Sequence, residues 1–131
     1  MKKNVCVMGV GYVGLPMTIA LSNAKNKGKF VYNVHGYDRD KNKIDNLAIN
    51  TKNLKLPFSS NDKILKNKFI SSCKKNKIIF TSDFQKIKKM DIIVLSIGFD
   101  FIKNKPFKNI VKLIKNTVKI IKKKTLLIIE T

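Results

Sequence analysis

The 131-residue sequence has little of what marks a secreted, metal-binding or membrane protein. Its two cysteines, Cys6 and Cys73, are too few for a disulfide framework and lack the spacing of metal ligands, so we expect reduced thiols. No apolar run approaches the roughly 18 residues that a membrane span needs. Glycines and a tyrosine interrupt the apolar run after Met1-Lys2-Lys3, which is unlike a secretory signal. These absences predict a cytoplasmic protein without membrane association.

Acidic residues and arginine are also scarce. The chain has 8 acidic residues against 28 basic ones, a formal net charge of +20, and its single arginine is Arg39. Such a charge suggests nucleic acid as a partner. However, lysine lacks the flat fork with which arginine makes bidentate contacts, and the lysines are spread along the whole chain among Asn and Ile. We therefore expect a compositional bias with loose, salt-sensitive polyanion binding, and no specific nucleic-acid partner.

Apolar residues make up 44% of the chain, a globular share, and the length is that of one domain, residues 1–131. Short apolar runs without a polar face alternate with segments of helical spacing. The runs predict strands at Asn4–Val10, Phe30–Tyr37, Lys77–Thr81, Asp91–Ile97 and Lys124–Glu130. The helical spacing predicts helices at Gly11–Ala24, Lys41–Ala48, Asp62–Ser72, Phe84–Lys89 and Pro106–Lys122.

Strands that are apolar on both faces and joined by amphipathic helices are typical of a parallel sheet covered on both sides. The predicted fold class is therefore α/β: a Rossmann-like, doubly wound parallel sheet of about five strands, truncated after the fifth. His35, the single histidine, falls within the second predicted strand and is interpreted as a sheet residue, not a catalyst.

Three glycines, Gly9, Gly11 and Gly14, form a G-x-G-x-x-G spacing between the first strand and the first helix. Gly9 would allow the tight turn, Gly11 would let a pyrophosphate approach the backbone, and Gly14 would let the helix pack closely on the sheet. The helix would then present free N–H groups and its positive dipole end to the phosphates. The alternative is a turn whose glycines serve packing alone.

An acid at the end of the second strand strengthens the dinucleotide interpretation. The carboxylate of Asp38 can accept hydrogen bonds from an adenosine ribose diol and would repel a 2′-phosphate, which favours NAD over NADP. Arg39 beside it could instead hold a 2′-phosphate. Tyr12, inside the glycine turn, either flanks the cofactor or is a surface aromatic.

The sequence resembles the amino-terminal domain of a family, the UDP-glucose/GDP-mannose dehydrogenases. The resemblance is carried in order by VCVMGVGYVGLPMTIALS, VHGYDRDKNKIDNL, IIFTSDFQKIKKMDIIVLSIG and TLLIIET. The string Gly-Tyr-Val-Gly-Leu-Pro is far more specific than a general dinucleotide fingerprint. The family is NAD-dependent and oxidises the C6 alcohol of a nucleotide sugar to a carboxylate in two hydride transfers, which supplies uronic acids for capsules and other surface polysaccharides.

The resemblance also implies site residues. The cofactor-binding positions it implies are Gly9, Val10, Gly11, Tyr12, Val13 and Gly14 in the turn, Asp38 and Arg39 near the adenosine, and Ser96 and Gly98 on the nicotinamide side. No metal ligand and no catalytic residue is implied.

The chain departs from the family in the loop after Phe58, where Ser59-Ser60-Asn61 stands in place of a common Glu-Pro-Gly, and at two further places. Where members usually read Thr-Pro after the fourth strand, this chain has Phe99-Asp100, which predicts weak cofactor binding. The family's catalytic cysteine, lysine and acid, its nucleotide-sugar site and its dimer-forming region all lie beyond the position of Thr131. We therefore expect a fragment that is inactive alone, with nucleotide-sugar binding and homo-oligomers only in a full-length enzyme. The alternative is a non-catalytic or degenerate dinucleotide-binding module.

Overall fold

The computed structural model describes residues 1–97 and 106–130, so that Gly98, Phe99, Asp100 and Thr131 lie outside the described residues. The strands are β1 Lys3–Met8, β2 Lys25–Asn26, β3 Lys29–Phe30, β4 Tyr32–Tyr37, β5 Ile79–Thr81, β6 Ile92–Ser96 and β7 Leu126–Glu130. The helices are α1 Gly14–Ser22, α2 Lys41–Lys52, α3 Lys63–Lys74 and α4 Pro106–Ile120, with a 3₁₀ helix at Phe84–Lys89. Within the described residues, none of these helices has the length and apolar character to cross a membrane.

Five of the strands form one parallel sheet in the order β5-β4-β1-β6-β7. The central strand β1 pairs with β4 on one side and with β6 on the other, so the strand order reverses at β1. This order is that of the first five strands of a doubly wound dinucleotide-binding sheet, which confirms the predicted fold class. A crevice for ligands is expected above the carboxyl ends of β1 and β6, where the order reverses.

Both faces of the sheet are buried at its centre, as the apolar runs predicted. Val5 and Val7 on one face of β1 and Cys6 and Met8 on the other are each at most 1% exposed. Val5 belongs to a core cluster with residues of α1, α2 and α3. Cys6 and Met8 belong to a second cluster, against which the 3₁₀ helix and α4 pack. The long strands are thus covered on both sides, as parallel strands require.

The second predicted strand is divided in the structure. Its first residue belongs to β3, which pairs antiparallel with β2 in a small hairpin, and β4 begins only at Tyr32. The hairpin turns at Lys27 and Gly28, which both have positive φ, 50° and 77°. A two-residue turn with positive φ at both positions matches the twist of paired strands.

Helix α2 is longer than predicted and runs to Lys52. The side chain of Thr51 donates to the carbonyl of Leu47 at 2.7 Å, and that of Asn50 donates to the carbonyl of Asn46 at 3.0 Å. These polar side chains bond back to their own helix, which continues past its predicted end at Ala48.

Candidate functional site

The three glycines of the turn after β1 have different surroundings. Gly9 has φ of +99°, and a Cβ there would overlap the carbonyl oxygen of Ser96 on β6. A Cβ on Gly14 would overlap the carbonyl oxygen of Gly9. A Cβ on Gly11 would meet no atom within 4 Å, and the residue is exposed. Packing therefore accounts for Gly9 and Gly14 but not for Gly11, whose missing side chain leaves open space above the backbone.

Helix α1 begins directly after this turn without a capping side chain. Its N-cap residue, Val13, makes no side-chain hydrogen bond to the helix start. By contrast, α2, α3 and the 3₁₀ helix each begin at an aspartate whose carboxylate accepts backbone N–H groups: Asp40, Asp62 and Asp83. The first N–H groups of a helix need an outside acceptor when no side chain supplies one. Among the four helix starts whose caps the structure describes, that of α1 therefore fits an external anion best.

The carboxylate of Asp38 lies at the carboxyl end of β4 and faces the glycine turn. Its Oδ2 accepts a hydrogen bond from the Val10 backbone N–H at 3.3 Å, and its Oδ1 accepts one from the Asp40 N–H at 3.0 Å. The Nζ of Lys43 lies 3.2 Å from Oδ2. The side chain of Asp38 is 12% exposed and that of Lys43 is 42% exposed. The structure thus brings Asp38 and Val10 together, at the edge of the space above Gly11.

Lys43 is a residue that the sequence reasoning missed. It lies in the first turn of α2, five residues after Asp38, because Asp40 caps the helix and folds the chain back toward the strand end. The signal was present in the sequence: an acid at a strand end followed within one helical turn by a lysine. Arg39, which the sequence placed near the adenine, is exposed.

Tyr12 lies at the rim of an open cleft of about 670 Å³ beside the turn. Its ring is 93% exposed and stacks on Phe58, with the ring centroids 6.5 Å apart and the planes 22° apart. Gly11, Lys43 and residues of α2 line the same cleft. Tyr12 is therefore exposed and borders the glycine turn, and Phe58 is a second residue that the sequence reasoning did not identify. Val13, the next turn residue, is also exposed.

Ser96 lies beneath the turn at the carboxyl end of β6. Its carbonyl oxygen is the atom that a side chain on Gly9 would meet, and its Cβ would lie 3.5 Å from a Cβ on Gly14. Its hydroxyl donates to Oε2 of Glu130 on β7 at 3.3 Å. The structure therefore brings Ser96 to the glycine turn, whereas Gly98 lies outside the described residues.

The two thiols do not suit covalent catalysis. Cys6 is 1% exposed, and its burial raises the pKa of the thiol to about 12. Burial also raises the pKa of Cys73, which lies in α3. A nucleophilic thiol needs a lowered pKa and partial exposure. His35 lies within β4, paired with Cys6 and Ile79 and away from the strand tips. Among residues 1–97 and 106–130, no group of three His, Cys, Asp or Glu side chains could hold a metal.

Comparison with known proteins agrees with this geometry. The sequence model of the UDP-glucose/GDP-mannose dehydrogenase family, NAD binding domain, matches residues 3–131. Protein CapL of Staphylococcus aureus is 32% identical over 107 residues, which are 81% of this chain and 21% of that protein.

Solved structures show the same fold. The NDP-N-acetyl-D-galactosaminuronic acid dehydrogenase of Methanosarcina mazei Go1 superposes with a TM-score of 0.78 at 24% identity, over 98% of this chain and 27% of that one. The GDP-mannose dehydrogenase of Pseudomonas aeruginosa superposes with a TM-score of 0.68 at 20% identity, over 95% and 27% of the two chains. The chain thus spans about a quarter of the length of these relatives. It belongs to the UDP-glucose/GDP-mannose dehydrogenase family and corresponds to the NAD-binding domain of that family.

Proposed function

We propose that this chain is the NAD-binding portion of a cytoplasmic nucleotide-sugar 6-dehydrogenase, which oxidises the C6 alcohol of a UDP-sugar to a uronic acid for surface polysaccharide synthesis. Bound NAD would supply the hydride acceptor for that reaction. The residues described here would bind and orient the cofactor, and the nucleotide sugar would be held elsewhere in a full-length enzyme. Alone, the chain would bind NAD weakly and would not turn over substrate.

The observation that carries this proposal is the open space at Gly11. The turn is built so tightly at Gly9 and Gly14 that neither tolerates a side chain, yet nothing in the described protein fills the position where a Gly11 side chain would lie. A glycine that packing does not require is expected where a ligand approaches the backbone. Pro16 has no N–H, and the Leu15 N–H donates to the Gly11 carbonyl at 3.0 Å, so the donors proposed for a pyrophosphate are the N–H of Gly14 and those of the turn before it.

The carboxylate of Asp38, beside the turn, would supply a second contact, to the ribose of the cofactor. A ribose diol needs two acceptor positions, and Oδ1 of Asp38 has one partner, the Asp40 N–H, while Oδ2 has two. A carboxylate offers about four lone-pair positions, so the diol would either share Oδ2 with Lys43 or displace it. Lys43 would then be a positioning residue that holds the carboxylate toward the turn before the ribose binds.

The burial and the raised pKa values of the two thiols support the proposal that the chain alone is inactive. A covalent step by Cys6 would need a thiolate, which a pKa of about 12 and near-complete burial prevent at neutral pH. The raised pKa of Cys73 gives the same argument for that residue.

Isothermal titration calorimetry with NAD tests the proposal. We expect one binding site in the wild type, no measurable binding in Gly11→Val, and an affinity at least tenfold lower in Asp38→Ala, since hydrogen bonds to a charged group are worth about 1.5–3 kcal/mol. Asp45→Ala is the matched control, because Asp45 is an exposed acid of α2 that does not line the cleft. Binding that survives Gly11→Val and Asp38→Ala together would overturn the site assignment.

An activity assay with UDP-glucose or GDP-mannose and NAD separates binding from turnover. We expect no NADH to form with this chain alone. Turnover would contradict the claim that the catalytic groups lie outside these 131 residues.

A further inference from the structure

The carboxylate of Glu130 lies on the half of the crevice opposite Asp38. Asp38 directly follows β4, whereas Glu130 is the last residue of β7, and the two strands lie on opposite sides of β1 in the sheet. If the adenosine ribose binds Asp38 and the diphosphate binds the glycine turn, the nicotinamide half of the cofactor has to run toward the ends of β6 and β7. Glu130 therefore lies at the end of the crevice where the nicotinamide ring would bind.

The side chain of Glu130 faces the same side of the sheet as α1. Ser96 and Glu130 are register partners on β6 and β7. Ser96 lies under Gly14 of α1, since its Cβ would lie 3.5 Å from a Cβ on Gly14. The side chains of Leu95 on β6 and Leu127 on β7 point to the opposite face of the sheet, into the cluster against which α4 packs. The hydroxyl of Ser96, at 3.3 Å from Oε2, holds the carboxylate toward the glycine turn.

The surface next to this carboxylate is apolar. Leu126 and Ile128 alternate with Glu130 along β7, so all three side chains share one face. Ile128, two residues before Glu130, is 43% exposed, whereas Leu126 is 55% exposed but begins the strand, at the end away from the crevice. A planar ring in contact with Ile128 would be partly shielded from water, and shielding strengthens its interaction with a nearby charge.

We propose that Glu130 is a specificity-determining residue that favours the oxidised over the reduced cofactor. The inference rests on the proposed binding of NAD at the glycine turn. The nicotinamide ring of NAD⁺ carries a positive charge, and a hydride, which brings one proton and two electrons, cancels it. A carboxylate beside the ring therefore stabilises NAD⁺ but has no such effect on NADH. The diphosphate and adenosine are the same in both forms, so the ratio of their dissociation constants isolates this effect.

The experiment measures both dissociation constants, NAD⁺ by isothermal titration calorimetry and NADH by its fluorescence, for wild type, Glu130→Gln and Asp45→Asn. Asp45→Asn changes the net charge equally but lies on exposed helix α2, away from β7. We expect Glu130→Gln to lower the ratio Kd(NADH)/Kd(NAD⁺) about threefold to tenfold, as for unit charges roughly 8 Å apart at an effective dielectric constant between those of protein and water. Asp45→Asn should leave the ratio unchanged.

Two results would overturn the inference while the NAD site stands: an unchanged ratio in Glu130→Gln, or an equal loss of affinity for both forms, which would mean that Glu130 only supports the fold. Absence of NAD⁺ and NADH binding in the wild type would overturn the proposed function and this inference with it. The difference in this ratio between the wild type and Glu130→Gln should shrink as ionic strength rises, because salt screens the charge of Glu130. Comparison with the variant is needed because the net charge of +20 also affects the wild-type ratio. A difference that does not change with salt would contradict the proposal.

Discussion

The carboxylate of Asp38 accepts a hydrogen bond from the backbone N–H of Val10 at 3.3 Å, which ties the end of β4 to the glycine turn. The two residues are 28 positions apart in the chain, and β1 and β4 are neighbours in the sheet. This contact places an acceptor for ribose hydroxyls beside the turn proposed to hold a diphosphate. The Nζ of Lys43 lies 3.2 Å from the same oxygen.

We predict that Lys43→Met increases the discrimination between NAD and NADP. Lys43 offsets the charge of Asp38 at 3.2 Å, so its removal exposes a 2′-phosphate to an uncompensated carboxylate. The ratio Kd(NADP)/Kd(NAD), measured by calorimetry, should rise about threefold to tenfold. The stability should change by less than about 1 kcal/mol, because the lysine is substantially exposed. Lys52→Met, at the far end of α2, is the control, and equal ratios in the two variants would refute the prediction.

Alanine should affect different properties at the two glycines: NAD binding at Gly11 and stability at Gly14. A Cβ at Gly14 overlaps the Gly9 carbonyl, so Gly14→Ala should lower the free energy of unfolding by about 1–3 kcal/mol or more. A Cβ at Gly11 meets no protein atom within 4 Å, so Gly11→Ala should leave the stability nearly unchanged and weaken NAD binding. Denaturant melts and calorimetry measure the two effects. A stable Gly14→Ala, or a Gly11→Ala that binds NAD as the wild type does, would contradict the assigned roles.

The imidazole of His35 should make the fold less stable in mild acid. Burial, and then the charge of Lys86, lower its pKa below the ordinary value of 6.5, and its Nδ1 has no hydrogen-bond partner among residues 1–97 and 106–130. As the pH falls below 6.5 the unfolded chain takes up the proton before the folded chain does, so stability is lost until the folded-state pKa is reached. Urea melts from pH 8 to pH 5 should show a smaller loss for His35→Gln. Parallel curves for the two proteins would show that His35 does not contribute.

Strand β7 should make the isolated chain prone to association. It is an edge of the sheet in the described structure, and Leu126, Ile128 and Ile129 on it are exposed. Exposed apolar edge strands pair with other chains. We expect concentration-dependent association by light scattering and irreversible heating, both reduced by Ile128→Thr but not by Ile64→Thr on α3. A sharp, reversible melt of a monomeric wild type would count against this.

The glycine turn and the sheet could be predicted because their signals are local. The positive φ of Gly9 and the contact of Gly14 with the Gly9 carbonyl lie within a few residues of one another, and the double-sided burial of β1 requires an unbroken apolar run. The contacts of Lys43 and Phe58 could not be predicted in the same way. They depend on how far the Asp40 cap folds α2 back and on where a loop after α2 passes Tyr12. The extension of α2 through Asn50 and Thr51 could not be predicted for a related reason. The bonds of these side chains to their own helix depend on rotamers.

The amides at the start of α1 are proposed to bind the cofactor diphosphate while Asp38 binds the neighbouring ribose. A titration of the ¹⁵N-labelled chain with NAD, followed by amide chemical shifts, measures both contacts at once. We expect the largest shifts at residues 9–14 and 38–43, with smaller ones at Ser96 and Glu130. Shifts spread over the lysine-rich surface of α3 that disappear with salt, and none at the glycine turn, would contradict it.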